Sequence, residues 1–164
     1  MNRKENLEKQ LCRIRISEDD FRESTEYLKI YNMQNNNCVS KALLSMAIIC
    51  YSRPFVKNND DLGKGQSILS IKIKDIYNEK EMLLHKKIIE YRNKAIAHSD
   101  YEMNQWRLLK SSLNGFDFEG YIFDIKSENI DGVMFLEMCE KIIRRNFKNL
   151  LVVNNKLNLL KFEP

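Results

Sequence analysis

Residues 78–100 read NEKEMLLHKKIIEYRNKAIAHSD, and the spacing of the apolar positions in this string decides the fold class. At about 100° per residue, Leu84, Ile88, Tyr91, Ala95 and His98 fall on one stripe. Met82, His85, Ile89, Arg92 and Ile96 fall on the stripe beside it, and Lys86, Lys87, Glu90, Asn93 and Lys94 take the other side. The pattern predicts one amphipathic helix, capped by Asn78, with Glu79 and Glu81 in its first turn, running to about Ala97. Arg92 and the only two histidines, His85 and His98, lie inside the apolar arc. A guanidinium there requires a partner, because a buried unpaired charge is costly.

Upstream, residues 38–51 carry Val39, Ala42, Leu43, Leu44, Met46, Ala47, Ile48 and Ile49, which predicts a central core helix. Arg53-Pro54 ends it, since proline disfavours helix at the preceding residue. Ser17 followed by Glu18-Asp19-Asp20 has the form of a helix start, with Phe21, Leu28 and Tyr31 as its apolar face. Residues 1–16, with Leu7, Leu11 and Ile14, then form a separate short helix. Asparagine-rich residues 33–37 form a turn, residues 56–70 a surface loop, and residues 71–77 a short helix. Gly63-Lys64-Gly65, with no strand expected before it and no helix clearly after it, is a weak phosphate cradle.

Downstream, Phe116-Asp117-Phe118 and Tyr121 to Ile125 alternate with period two around Glu119-Gly120, which fits a small β-hairpin or an extended arm. Asp131 opens a last helix with Leu136, Cys139, Ile143, Phe147 and Leu150 on its apolar face, extended by Leu157 and Leu160. The expected class is all-α: a four- to five-helix up-and-down bundle, one domain over residues 1–164, with that excursion between the last two main helices.

Composition agrees. Five glycines and two prolines in 164 residues disfavour a turn-rich β protein. No apolar run reaches the length of a membrane span, and the first residues lack the apolar core of a secretory signal, so a cytoplasmic protein is expected. Cys12, Cys38, Cys50 and Cys139 are scattered, without a Cys-x-x-Cys pair; buried free thiols are expected, with no metal and no cofactor. The net charge of +4 permits a polyanionic partner without demanding one.

From residue types alone, Arg92, His85 and His98 admit two readings. In one they are structural: Arg92 pairs with a carboxylate of a neighbouring helix, His98 caps a helix end, and His85 is a hydrogen-bonded core histidine. In the other they serve phosphodiester chemistry, the guanidinium holding phosphate oxygens and the imidazole moving a proton. Six residues on an ideal helix separate two side chains by about 9 Å along the axis and about 120° around it. Arg92 and His98 of one straight helix therefore do not meet on one phosphate: either the helix distorts near Ala97-His98, or two copies facing each other across a two-fold axis pool their residues, and the second is favoured.

The motif Arg92-Asn93-Lys94-Ala95-Ile96-Ala97-His98, with Ser99-Asp100 after it and Leu84-His85 before it, resembles the HEPN domains of defence and toxin systems. It is most similar to their abortive-infection (AbiU-like) branch, and the string Tyr51-Ser52-Arg53-Pro54-Phe55 at the end of the core helix shares that likeness. The resemblance covers residues 17–150. It implies a HEPN-like bundle that forms a homodimer through the motif helices and cleaves RNA without a metal, leaving a 2′,3′-cyclic phosphate. Arg92 would then hold the scissile phosphate, His98 transfer a proton and Asn93 orient either group. Other members of the family only bind RNA or serve as partner modules, and toxins of the family are paired in some systems with an antitoxin. In those encoded beside a nucleotidyltransferase antitoxin, a tyrosine stands two residues after the histidine; here that place is Asp100 and the tyrosine is Tyr101. His85, Asp100 and Tyr101 are second-rank candidates, with a structural role favoured for His85.

Overall fold

The first 31 residues of secondary structure are a single helix, α1 (Arg3–Met33), not the two short helices expected. In this computed structural model the described residues are 3–55, 57–58, 66–67, 73–93, 106–110, 116–120 and 129–160. Ser17 does not cap a helix: its hydroxyl donates back to the Arg13 carbonyl at 2.8 Å, a bond available only within a continuing helix. The acids after it belong to a mid-helix ladder, where Glu18 pairs with Arg15 at 3.4 Å and Arg22 at 2.6 Å. The buried stripe of α1 is Ile14, Ser17, Phe21, Ser24 and Leu28, with alternating steps of three and four residues as in a coiled-coil seam. The small serines let partner helices approach, and Ser24 donates to the Ala47 carbonyl at 2.9 Å and lies 3.6 Å from the Cys139 sulfur.

Residues 34–36 form the turn into α2 (Asn37–Ser52). The Asn36 carboxamide oxygen accepts from the N–H groups of Cys38 and Val39, a standard cap. Helix α2 runs antiparallel to α1, as the pairs Gln34–Ser40, Ser24–Ala47 and Asp20–Arg53 show. It stops where expected, in a tight turn at Arg53–Phe55 around the buried Pro54. A further single turn, Ile73–Asp75, precedes α3 (Glu79–Tyr91).

The last helix, α4 (Gly132–Leu159), opens at Asp131, whose carboxylate accepts from the N–H groups of Val133 and Met134. Its buried face is Phe135, Met138, Cys139, Ile142, Asn146, Leu150 and Val153. That face is rotated from the one expected: Leu136 and Ile143 are half-buried at its margin, and Phe147 is 57% exposed. Helix α4 is antiparallel to α1, which packs against both α2 and α4 along its length. Near the chain ends, Ile14, Leu150 and Val153 make a second small core with Leu7, Leu11 and Leu157, which is what holds residues 3–16 in the bundle.

The main core joins Phe21, Leu28, Leu44, Ile48, Tyr51, Ile88, Phe135, Met138 and Ile142. At about 1.5–3 kcal/mol per buried large apolar side chain, this cluster is the main source of stability. The protein is thus an all-α bundle, with four helices among the described residues. None of them is long and apolar enough to cross a membrane. Cys50 and Cys139 are buried, but Cys12 and Cys38 are exposed, Cys38 because it stands in the open first turn of α2. Short backbone pairings are also present: β1 (Lys57–Asn58) with β2 (Gln66–Ser67), and β3 (Trp106–Lys110) with β4 (Phe116–Gly120), both antiparallel. Glu119 and Gly120 lie inside β4, paired with Arg107 and Trp106, and do not form a turn; residues 121–125 lie outside the described residues.

Candidate functional site

Helix α3 is fixed at its start by a reciprocal capping box. The Asn78 carboxamide accepts from the Glu81 N–H and the Glu81 carboxylate accepts from the Asn78 N–H, both at 2.9 Å. The other oxygen of Glu81 is paired with Lys141 of α4, which ties the two helices together. Burial pushes the Glu81 carboxyl up. The hydrogen bonds from Lys141 and Asn78 and the Lys141 charge outweigh it and hold the group below its usual value.

With the start fixed, the buried face of α3 is Glu81, His85, Ile88 and Tyr91. His85 enters a nest of rings: Phe55 lies 4.9 Å away edge-on, Tyr51 5.8 Å and Tyr77 6.0 Å. Its Nδ1 is 2.8 Å from the Tyr51 hydroxyl, which is 3.0 Å from the Tyr77 hydroxyl, and Tyr77 donates to the Met138 carbonyl at 3.2 Å. Each phenol has one proton. Tyr77 spends its own on Met138, so Tyr51 donates to Tyr77 and can only accept from His85. The neutral ring is therefore the tautomer with its proton on Nδ1. Burial, and secondarily the nearby Lys86 charge, pushes His85 down to about 4, while burial raises Tyr51 and Tyr77. His85 is neutral at physiological pH and is the hydrogen-bonded core histidine of the structural reading.

Arg92 follows Tyr91 with helical dihedrals, φ −56° and ψ −47°. It is half-buried rather than core, and its Nη1 donates to the Asn93 carboxamide oxygen at 3.0 Å. Among the described residues its hydrogen-bond neighbour is this neutral amide. Asn93 is exposed and lines, with His85, Lys86, Ile89 and Glu90, an open cavity of about 380 Å³. His85 and Asn93 thus share one cavity wall, and Arg92 is bonded to its rim. His98, Asp100 and Tyr101 lie outside the described residues.

Sequence reasoning missed Tyr51 and Tyr77 as the partners of His85. Tyr51 ends the apolar run of α2, and nothing local marks its hydroxyl as a hydrogen-bond hub. A second omission was readable: Lys141, Arg144, Arg145 and Lys148 recur at i, i+3, i+4 and i+7, a cationic stripe on α4. Among the described residues no three His, Cys, Asp or Glu side chains converge as metal ligands would. No family model, curated protein or solved structure matches this chain.

Proposed function

We propose that this chain is a HEPN-type, metal-independent endoribonuclease of a defence or toxin system, acting as a homodimer through the motif helix. The observation that supports it is the Arg92–Asn93 pair: a charged guanidinium held by a neutral amide at the rim of an open cavity. In the reaction, an RNA 2′-hydroxyl attacks the adjacent phosphorus as its proton passes to a base, and the P–O5′ bond breaks as that oxygen takes up a proton. The products are a 2′,3′-cyclic phosphate and a 5′-hydroxyl. Arg92 stabilises the charge that builds on the phosphate oxygens, Asn93 fixes its direction, and His98 of the pair of copies transfers the proton.

The test is cleavage of structured and unstructured RNA by purified protein in chelator. Arg92→Ala and His98→Ala should each lower the rate about a hundredfold or more without changing the thermal midpoint. Mixing the two variants should restore part of the activity if the site is pooled between copies. RNA left intact by the unsubstituted protein, or cleavage abolished by chelator, refutes the proposal. A non-catalytic RNA-binding or protein-partner module is the second reading, favoured by the cationic stripe on α4.

A further inference from the structure

A cavity of about 630 Å³ is lined by Arg22 of α1, residues 75 and 76, and α4 from Lys141, the partner of Glu81, to Lys148. Its walls carry five cations, Arg22, Lys141, Arg144, Arg145 and Lys148, against one carboxylate, that of Asp75. A second cavity of about 360 Å³ shares Arg22, Ile143 and Arg144 with it, and its lining is mixed, with Lys29 beside Glu26 and Glu140, so the cationic part of the surface is the first cavity. Three of these cations are held by acids of their own or the neighbouring helix: Arg22 by Glu18, Arg144 by Glu140 at 3.4 Å, and Lys141 by Glu81. Arg145 and Lys148 are exposed and make no ion pair among the described residues. Phe147, 57% exposed, stands between them in sequence and lines the same cavity.

We propose that this groove is a separate binding surface for single-stranded RNA, distinct from the Arg92 cavity and standing whether or not Arg92 takes part in cleavage. The four α4 cations span about 10 Å of helix, about three nucleotides at about 3.4 Å per stacked nucleotide. Cations on successive turns follow a line of phosphates. An exposed aromatic ring among them offers a face to an unpaired base, which a duplex keeps stacked inside. Polyglutamate matches the charge but carries no ring to lay on Phe147, which makes it the control for charge alone. The two surfaces are apart: Glu81, the partner of Lys141, precedes Arg92 by eleven residues, about 16 Å along α3.

The test is fluorescence anisotropy of the full chain with a labelled 2′-O-methyl oligouridylate of about twelve nucleotides, which has no free 2′-hydroxyl to attack and so reports binding alone. The Arg145→Gln/Lys148→Gln double variant should bind about tenfold or more weakly, with the salt slope shallower by about 1.4 for two lost phosphate contacts. Phe147→Ala should weaken binding about tenfold with the slope unchanged. Thermal midpoints within a few degrees of the parent show that each variant is folded; if the double variant is not, the single Lys148→Gln change carries the test, with about half the slope effect. Three results would overturn the proposal. They are no binding by the unsubstituted chain, binding by the charge variant within about twofold of it, or a polyglutamate peptide bound as tightly as the oligonucleotide with no effect of Phe147→Ala. Because the probe cannot be cleaved, failure of the ribonuclease reading and failure of this one give different results.

Discussion

Acidification isolates the contribution of His85. The unfolded imidazole titrates near 6.5 and the folded one near 4, so between these values the unfolded chain binds a proton that the folded chain refuses. Stability is therefore complete above the unfolded value and falls as pH drops through the window from 6.5 to about 4. For that displacement the loss is about 2 kcal/mol at about pH 5 and about 3 kcal/mol at about pH 4. Two carboxyls act differently. Glu81, held below its usual value, costs stability only in stronger acid, and Asp20, raised chiefly by burial, works in the opposite direction. A His85→Gln variant keeps a neutral donor and removes the titration, so its comparison with the parent cancels both. Urea unfolding followed by far-ultraviolet circular dichroism at about pH 7.5, 6 and 5 should show the parent losing about 2 kcal/mol more than the variant. Long-range nitrogen–proton spectra should place the His85 proton on Nδ1 and its midpoint far below that of a free imidazole. If parent and variant lose stability in parallel over this range, the argument from burial and proton counting fails.

Three further outcomes follow from packing. Asp131→Ala removes the acceptor for two N–H groups at the start of α4 and should cost about 1 kcal/mol by urea unfolding. Gly132→Ala, which in open space would favour the helix, should instead lower stability by about 1 kcal/mol, because the new methyl lands 2.8 Å from the Tyr31 ring. A thermal midpoint that rises in this variant would contradict the close approach of α1 and α4 there. Asn146 is fully buried, and its carboxamide finds no partner among the described residues, so Asn146→Leu, of the same branched shape though larger, should raise stability by about 1 kcal/mol where the core accommodates the two methyl groups. A loss in that variant together with a loss in the smaller Asn146→Ala would contradict the unpartnered amide.

The elements legible in the sequence are those whose ends carry their own chemistry. Asn78 with Glu81, Asp131, and Arg53-Pro54 are local signals, and the structure uses each where the chain announces it. Helix α1 runs unbroken where two helices are expected because its inward stripe contains Ser17 and Ser24, polar by type yet fully buried, one satisfied by its own helix and the other by α2. The face of α4 was misplaced for the same reason: Asn146 lies in the core and Phe147, its neighbour, in solvent. Where a buried position is filled by a small or polar residue, periodicity by hydrophobicity alone points about one residue off. The inward turn of His85 was legible from its stripe, but Tyr51 and Tyr77 lie 34 and 8 residues away in the chain, and only the tertiary fold brings them to it.

The same contacts decide what the end of α3 can do. Its rotation is set twice: at Glu81 by the capping box and Lys141, and a turn later at His85 by the Tyr51–Tyr77–Met138 relay. Once those two inward positions are fixed, helical geometry brings Tyr91 inward and carries Arg92 about 100° round to the margin. The guanidinium therefore reaches solvent because His85 is buried, and a histidine drawn out toward the cavity would turn Arg92 elsewhere. A neutral His85 suits this role, since a titrating group at that point would loosen the helix that presents Arg92 and Asn93 within the physiological range. His85 thus holds the helix in place by keeping its charge at zero, so proton transfer at the site proposed at the end of α3 falls to another group.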